Sequence, residues 1–197
     1  IAEVIRRFDV VAIQEVRRDT SALRLLAERF LGPSWSVMMS DVTAGDKGNT
    51  ERAAYLYDAR RVQPSGLAGE IVLPPTDTGD PQEQFDRTPY LVGFIAAGER
   101  FALLTAHIRY GEDLSDRIPE LRKLASYTAE EIRDRSRFAT AEEANLIVLR
   151  DFNTDRDEEN DLFEVFLEKG LWVPRELRDL KTTYGQDARH YDQIGWF

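Results

Sequence analysis

Two stretches of this chain pair a buried-strand signature with a polar exit. Leu146, Ile147, Val148 and Leu149 form an apolar run that reads as a strand, and Arg150, Asp151, Phe152 and Asn153 follow at its C-terminal end. Residues two apart share a side of a strand, so the Asp151 carboxylate and the Asn153 amide can face one site. Carboxylate and amide oxygens are what a hard cation such as Mg²⁺ or Mn²⁺ prefers. Both residue types also start turns, so this pair alone is equally consistent with a plain loop. Val10, Val11, Ala12 and Ile13 repeat the arrangement: an apolar run suited to an interior strand, with Gln14 and Glu15 at its exit and Arg17 and Arg18 beyond. A second acidic tip matters because sites in α/β proteins collect along one edge of a sheet.

The elements that must position these residues follow from periodicity. Tyr90 to Ala97 and Phe101 to Ala106 predict a hairpin around Gly98-Glu99-Arg100, and its second strand delivers His107 at the exit with Arg109 two positions on. Ile1 to Arg7 reads as the end of an amphipathic helix with Ile1, Val4, Ile5 and Phe8 on one side. Leu23, Leu26, Ala27 and Phe30 mark a second helix, capped by Asp19 or Thr20. Trp35 to Met39, Ala53 to Tyr57 and Val62 to Leu67 read as strands, and Asp41 to Thr50 and Pro74 to Arg87 as polar loops. The spacing Ile118, Leu121, Leu124 or Ala125, Thr128, Ile132 predicts the longest helix, running to near Arg137. The acidic run from Asp155 to Asp161 lacks the central Gly and terminal Glu of an EF-hand. It reads as solvated loop charge, with Asp161 and Glu164 forming a capping box for the helix through Phe163, Phe166 and Leu167. The last strand starts at His190-Tyr191-Asp192-Gln193-Ile194, where Asp192 either faces solvent on an edge or sits in a polar site.

Composition narrows the class. The chain has 197 residues, enough for one domain with a sizeable core, and is 42% hydrophobic and 31% charged. No apolar run approaches the length of a transmembrane helix. The absence of cysteine excludes disulfides, thiolate metal sites and a cysteine nucleophile, and favours a bacterial source. A net charge of −10 argues against a broad nucleic-acid-coating surface, while remaining compatible with an enzyme that holds one phosphate at a time. The chain opens inside a helical pattern without Met and stops in an apolar run, so a trimmed or incompletely recorded chain is expected. Cytoplasmic and secreted locations both remain open, as does the oligomeric state.

Taken together, four stretches resemble the endonuclease/exonuclease/phosphatase superfamily, the deoxyribonuclease-like proteins. They are Ile13-Gln14-Glu15-Val16-Arg17; Glu51-Arg52 before Tyr55-Leu56-Tyr57; Thr105-Ala106-His107; and Asp151-Phe152-Asn153 with Tyr191-Asp192-Gln193-Ile194. Arg87-Thr88-Pro89-Tyr90 entering a strand is similar too, and the likeness spans nearly the whole chain as a single domain, residues 1–197. The resemblance implies a four-layer α/β sandwich: two packed mixed β-sheets, helices outside, and a site at one end. It implies Glu15 as the main carboxylate for Mg²⁺ or Mn²⁺, with Ca²⁺ as a further option. His107 would sit over the phosphate, oriented by Glu51. Asp151 and Asn153 would orient or activate the attacking water, with Asn153 also touching phosphate oxygens, and Asp192 would support a second histidine. Arg17 and Arg109 are extra phosphate contacts by charge and placement. The implied reaction is hydrolysis of a phosphodiester, most simply in DNA, by an endonuclease.

Three departures qualify this. The family opens with a strand ending in a metal-side Asn and closes with a Ser-Asp-His segment, and neither is found between Ile1 and Phe197. The residue before Asp151-Phe152-Asn153 is normally Gly, here Arg150. The only other histidine, His190, reads as a loop or surface residue. The expectation is therefore weak metal binding and slow or absent turnover by this chain. The alternatives are a phosphomonoesterase, a lipid-headgroup phosphodiesterase, or a catalytically decayed binding protein of the same fold.

Overall fold

The computed structural model describes residues 1–43, 50–109, 113, 116–133, 145–151, 162–178, 180–182 and 189–197. Three strands, β1 (Val10–Val16), β2 (Trp35–Met39) and β3 (Arg52–Asp58), form one sheet in the order β1-β3-β2. Five more, β4 (Val62–Glu70), β5 (Tyr90–Ala96), β6 (Glu99–His107), β7 (Leu146–Asp151) and β8 (Asp192–Trp196), form a second sheet in sequence order. All pairings are antiparallel except β6–β7, which is parallel and so needs a crossover. The crossover carries helix α3 (Ile118–Ser126), which continues with π-helical geometry over Tyr127–Arg133.

Alternation along the strands builds the layers. On β3, Ala54 and Leu56 face one way and join Val16, Leu23, Ala27, Leu31 and Trp35 in a core under the first helices. Those are α1 (Ala2–Ile5) and α2 (Ser21–Leu25), the latter continuing over Leu26–Leu31. Tyr55 and Tyr57 face the other way, into an inter-sheet core with Val62, Val92, Phe94 and Leu103. On β6, Ala102, Leu104 and Ala106 turn outward instead and pack with Leu146 and Val148 of β7 under Leu121, Leu124 and Ala125 of α3. Helix, sheet, sheet, helix is the resulting order, an α/β sandwich. Full burial of Phe94 at its centre is worth about 1.5–3 kcal/mol. The Tyr55 hydroxyl ties the sheets further, lying 2.9 Å from the Leu103 carbonyl and 3.2 Å from that of Tyr90.

Several sequence expectations shift. The N-terminal helix is a single turn in which only Ile5 is buried, while Ile1, Val4 and Phe8 of the expected stripe are exposed; their spacing was helical, but no element among the described residues packs over them. In α2 and its continuation the buried stripe is Leu23, Ala27 and Leu31, with Phe30 turned to solvent, because π-helical geometry rotates the last turn. The N-cap position is Thr20, which makes no side-chain cap bond, and Asp19 just before it accepts from the Ser21 N–H at 2.9 Å. The hairpin turn is Ala97-Gly98, both at positive φ (51° and 89°), so Glu99 and Arg100 already pair with Ala96 and Ile95. The Pro74 to Arg87 loop is anchored by buried Phe85, which joins Ile71 and Leu73 in the α3 core. Most consequentially, among the described residues β1 is an edge strand and not an interior one, and it runs through Gln14 and Glu15 to Val16. An open groove of ≈ 880 Å³ lies beside it, between Val10 and Ala12 on one side and Leu149 and Ile194 on the other. The acidic run from Asp155 to Asp161, the capping box at Asp161 and the helix end near Arg137 lie outside the described residues. Among the described residues no helix is long and apolar enough to cross a membrane.

Candidate metal and phosphoester site

Strand parity delivers two of the site residues. On β6, Leu103 faces the other sheet, and Thr105 and His107 follow at steps of two. On β7, Ile147 and Leu149 face the same gap, and Asp151 follows them. His107 and Asp151 are direct partners in the parallel register, so both side chains leave the sheet at the same end of the inter-sheet space.

Glu15 arrives there against its own parity. Val11 and Ile13 pack under the helices, as does Val16, so two residues separate Ile13 from Val16 on that face instead of one. The pairing with β3 is irregular between the same two positions, and Glu15 has φ of 57°. This is a β-bulge that re-aims a side chain, in a left-handed conformation costly for a residue with a Cβ. With the bulge, the Glu15 Oε1 stands 3.9 Å from His107 Nε2. Glu15, His107 and Asp151 each offer one ligand atom, and these lie within 4.8 Å of one another. Two carboxylates and an imidazole at that spacing suit a divalent cation.

A second layer of polar contacts surrounds the cluster. Glu51, buried just before β3, places Oε2 3.3 Å from His107 Nδ1 and accepts from Arg87 Nε at 3.0 Å. Arg17 is 68% exposed and reaches only to 3.8 Å of Glu51, leaving its guanidinium largely in solvent. Arg109 is held differently: its Nε and Nη2 both donate to Asp86 at 2.6 Å. The buried carboxylate of Glu120, on α3, accepts from the backbone N–H groups of Asp86 and Arg109, both at 2.9 Å. Asp192 lies opposite Asp151 across the antiparallel β7–β8 register. Although the residue is exposed, partial desolvation of its carboxyl, then repulsion from Asp151, raises its pKa.

The structure thus brings Glu15, Glu51, His107, Asp151 and Asp192 to one end of the sandwich, with Arg17 at the rim and Arg109 tied back to Asp86. Asn153 and Phe152 lie outside the described residues, as does the side chain of Arg150, whose backbone in β7 pairs with Ala106 of β6 and Gln193 of β8. His190 is half-buried ahead of β8. Sequence reasoning left Gln14, Asp86 and Glu120 without roles. Glu120 had a signal: it shares a helical face with Leu124 and Thr128, both completely buried, and a carboxylate there requires partners.

The fold and this cluster define a class, an α/β sandwich with a potential divalent-cation centre at the open end of its two sheets. No family model matches the chain. It is 31% identical over 131 residues to a deoxyribonuclease of Thioalkalivibrio sp. (strain K90mix), a match covering 64% of the chain and 34% of that protein, so it spans about a third of that relative. The catalytic domain of human Nocturnin with bound sulfate superposes with a TM-score of 0.69 at 13% identity, over 98% of this chain and 70% of that one. An endonuclease/exonuclease/phosphatase family protein from Bacteroides thetaiotaomicron gives 0.67 at 17% identity, over 99% and 72%. At these identities the two likenesses show a shared fold, an α/β sandwich of two packed sheets.

Proposed function

We propose that this chain, read as one domain over residues 1–197, carries the centre of a Mg²⁺- or Mn²⁺-dependent phosphodiesterase that acts on DNA as an endonuclease. Metal-dependent phosphoester hydrolysis in general is supported by the fold together with the Glu15–His107–Asp151 cluster. The observation carrying the reading is that these three come from three strands and two sheets, yet their donor atoms converge within 4.8 Å. The step from phosphoester to DNA rests on the likeness to the deoxyribonuclease.

A divalent cation held by Glu15 and Asp151 would neutralise charge building on the phosphoryl oxygens. With the cation on the two carboxylates and not on the imidazole, His107 Nε2, facing the cluster, is left to exchange protons with a reacting oxygen, while Glu51 stands 3.3 Å from Nδ1. Asp151 is the carboxylate placed to orient a water beside His107. Asn153 and Asp192 complete the proposed set, and Arg17, largely exposed and only loosely paired with Glu51, is a cation that could meet a phosphate from solvent.

The test is nicking of supercoiled plasmid by the purified chain with Mg²⁺ or Mn²⁺, beside reactions with EDTA and with Glu15→Ala and His107→Ala. Nicking that disappears in all three controls is the expected result. Turnover of small phosphomonoesters with an intact plasmid would overturn the nuclease assignment and keep the metal site. Nicking that persists in EDTA would overturn both.

A further inference from the structure

The Gln14 side chain touches the backbone beside His107 and at Asp151, and its own backbone leads directly into Glu15. Its Nε2 donates to the Ala106 carbonyl at 2.6 Å and lies 3.1 Å from Thr105 Oγ1. Its Oε1 accepts from the Asp151 N–H at 3.2 Å. Ala106 precedes His107, Asp151 is itself in the cluster, and Glu15 is the next residue along the chain. One amide therefore spans from β1 in the three-stranded sheet to both β6 and β7 in the other.

The partners specify the residue type. The Ala106 carbonyl can only accept and the Asp151 N–H can only donate, so a group joining them must offer both. A carboxylate cannot donate to the carbonyl at neutral pH, and an apolar side chain serves neither. The location matters as much. Glu15 sits in a bulge of an edge strand at φ of 57°, a conformation that persists only when its surroundings over-determine it. On one side Val16 is buried and paired with Arg52. On the other, the anchor is the Gln14 amide.

We infer that Gln14 is a positioning residue: its side-chain amide, bridging the two sheets, holds the Glu15 carboxylate in register with His107 and Asp151. This rests on the metal-site reading above. Gln14 shapes the centre without entering it, as an outer-shell group does for a ligand.

The experiment measures Mn²⁺ affinity of the full chain by calorimetry, with thermal melts alongside, for wild type, Gln14→Met, Gln14→Ala and Tyr55→Phe. Methionine keeps the length and volume of the side chain and removes its hydrogen bonds. Tyr55→Phe removes a separate link between the sheets, made by a hydroxyl on backbone carbonyls. The expected result is Mn²⁺ binding weakened about 10- to 100-fold in both Gln14 variants. Tyr55→Phe is expected to melt earlier than wild type with Mn²⁺ affinity unchanged. Equal affinity in wild type and folded Gln14→Met would overturn the positioning role and leave the metal site standing. An equal loss in Tyr55→Phe would overturn it too, by assigning the effect to sheet packing. Absence of saturable Mn²⁺ binding by wild type would overturn the site itself.

Discussion

Arg109 and Asp86 face each other as a two-pronged ion pair, Nε to Oδ2 and Nη2 to Oδ1 both at 2.6 Å. The neighbouring Arg87 turns the opposite way, to Glu51, which in turn stands against His107. Two positions past His107 the chain returns to Arg109. Ion pairs and short backbone steps thus join the loop before β5 to the exit of β6, with Glu120 clamping both from α3.

A double-mutant cycle on Asp86→Ala and Arg109→Ala tests that pairing. With Arg109 only 29% exposed, a coupling of about 1–3 kcal/mol in urea unfolding is expected. Additive effects would mean that the two side chains act independently. Arg109→Ala should also reduce stability more than substrate affinity, since its guanidinium is already committed.

Glu51→Gln separates orientation from binding. Losing the charge opposite His107 Nδ1 should lower kcat roughly 100-fold with little change in KM. Stability should fall as well, because Arg87 loses its carboxylate partner in a largely buried setting. Kinetics on the variant, at a temperature where melts show it folded, check both.

Divalent ions should stabilise the protein by linkage. At a hundred times its dissociation constant, Mn²⁺ should contribute about 2.7 kcal/mol and raise the melting temperature. Glu15→Ala and Asp151→Ala should each abolish most of that rise, while Glu3→Ala, which removes an exposed carboxylate outside the cluster, should leave it intact.

Asp192 and Asp151 repel in the metal-free protein. A carboxyl whose pKa is raised on folding costs stability when ionised, and the cost fades as pH falls through the folded pKa toward the unfolded value near 3.8. Asp192→Asn should therefore raise the melting temperature of the metal-free chain at pH 7, with the gain shrinking in acid. A pH series of melts in EDTA measures it.

Asp58 has the opposite sign. Its hydrogen bonds from Arg60 lower its pKa from 3.8 to about 2. That stabilisation is complete above pH 3.8 and is lost as pH falls toward 2. Asp58→Asn should cost on the order of 1 kcal/mol at pH 7, since solvent screens the exposed Arg60 partner. The two proteins should converge near pH 2 in urea titrations.

What the sequence determined by itself was whatever depends on local period. The apolar runs of β6 and β7 made the two strands legible, with His107 and Asp151 at their exits, but both faces of each run are apolar, so which face turns toward the other sheet was not. The α3 stripe, Leu121 through Thr128, was legible at the helical period. Tertiary structure decided what breaks period or joins distant segments. Alternation assigns Glu15 to the helix-facing side of β1, and only a bulge, irregular against β3, returns it to the inter-sheet gap. Gln14 and Asp151 meet across 137 positions, and Asp86 and Arg109 across 23, through hydrogen bonds that no spacing rule encodes. A local pattern states which side chains share a face of their own strand. Which strands converge, and which side chains then satisfy one another, depends on how the two sheets pack.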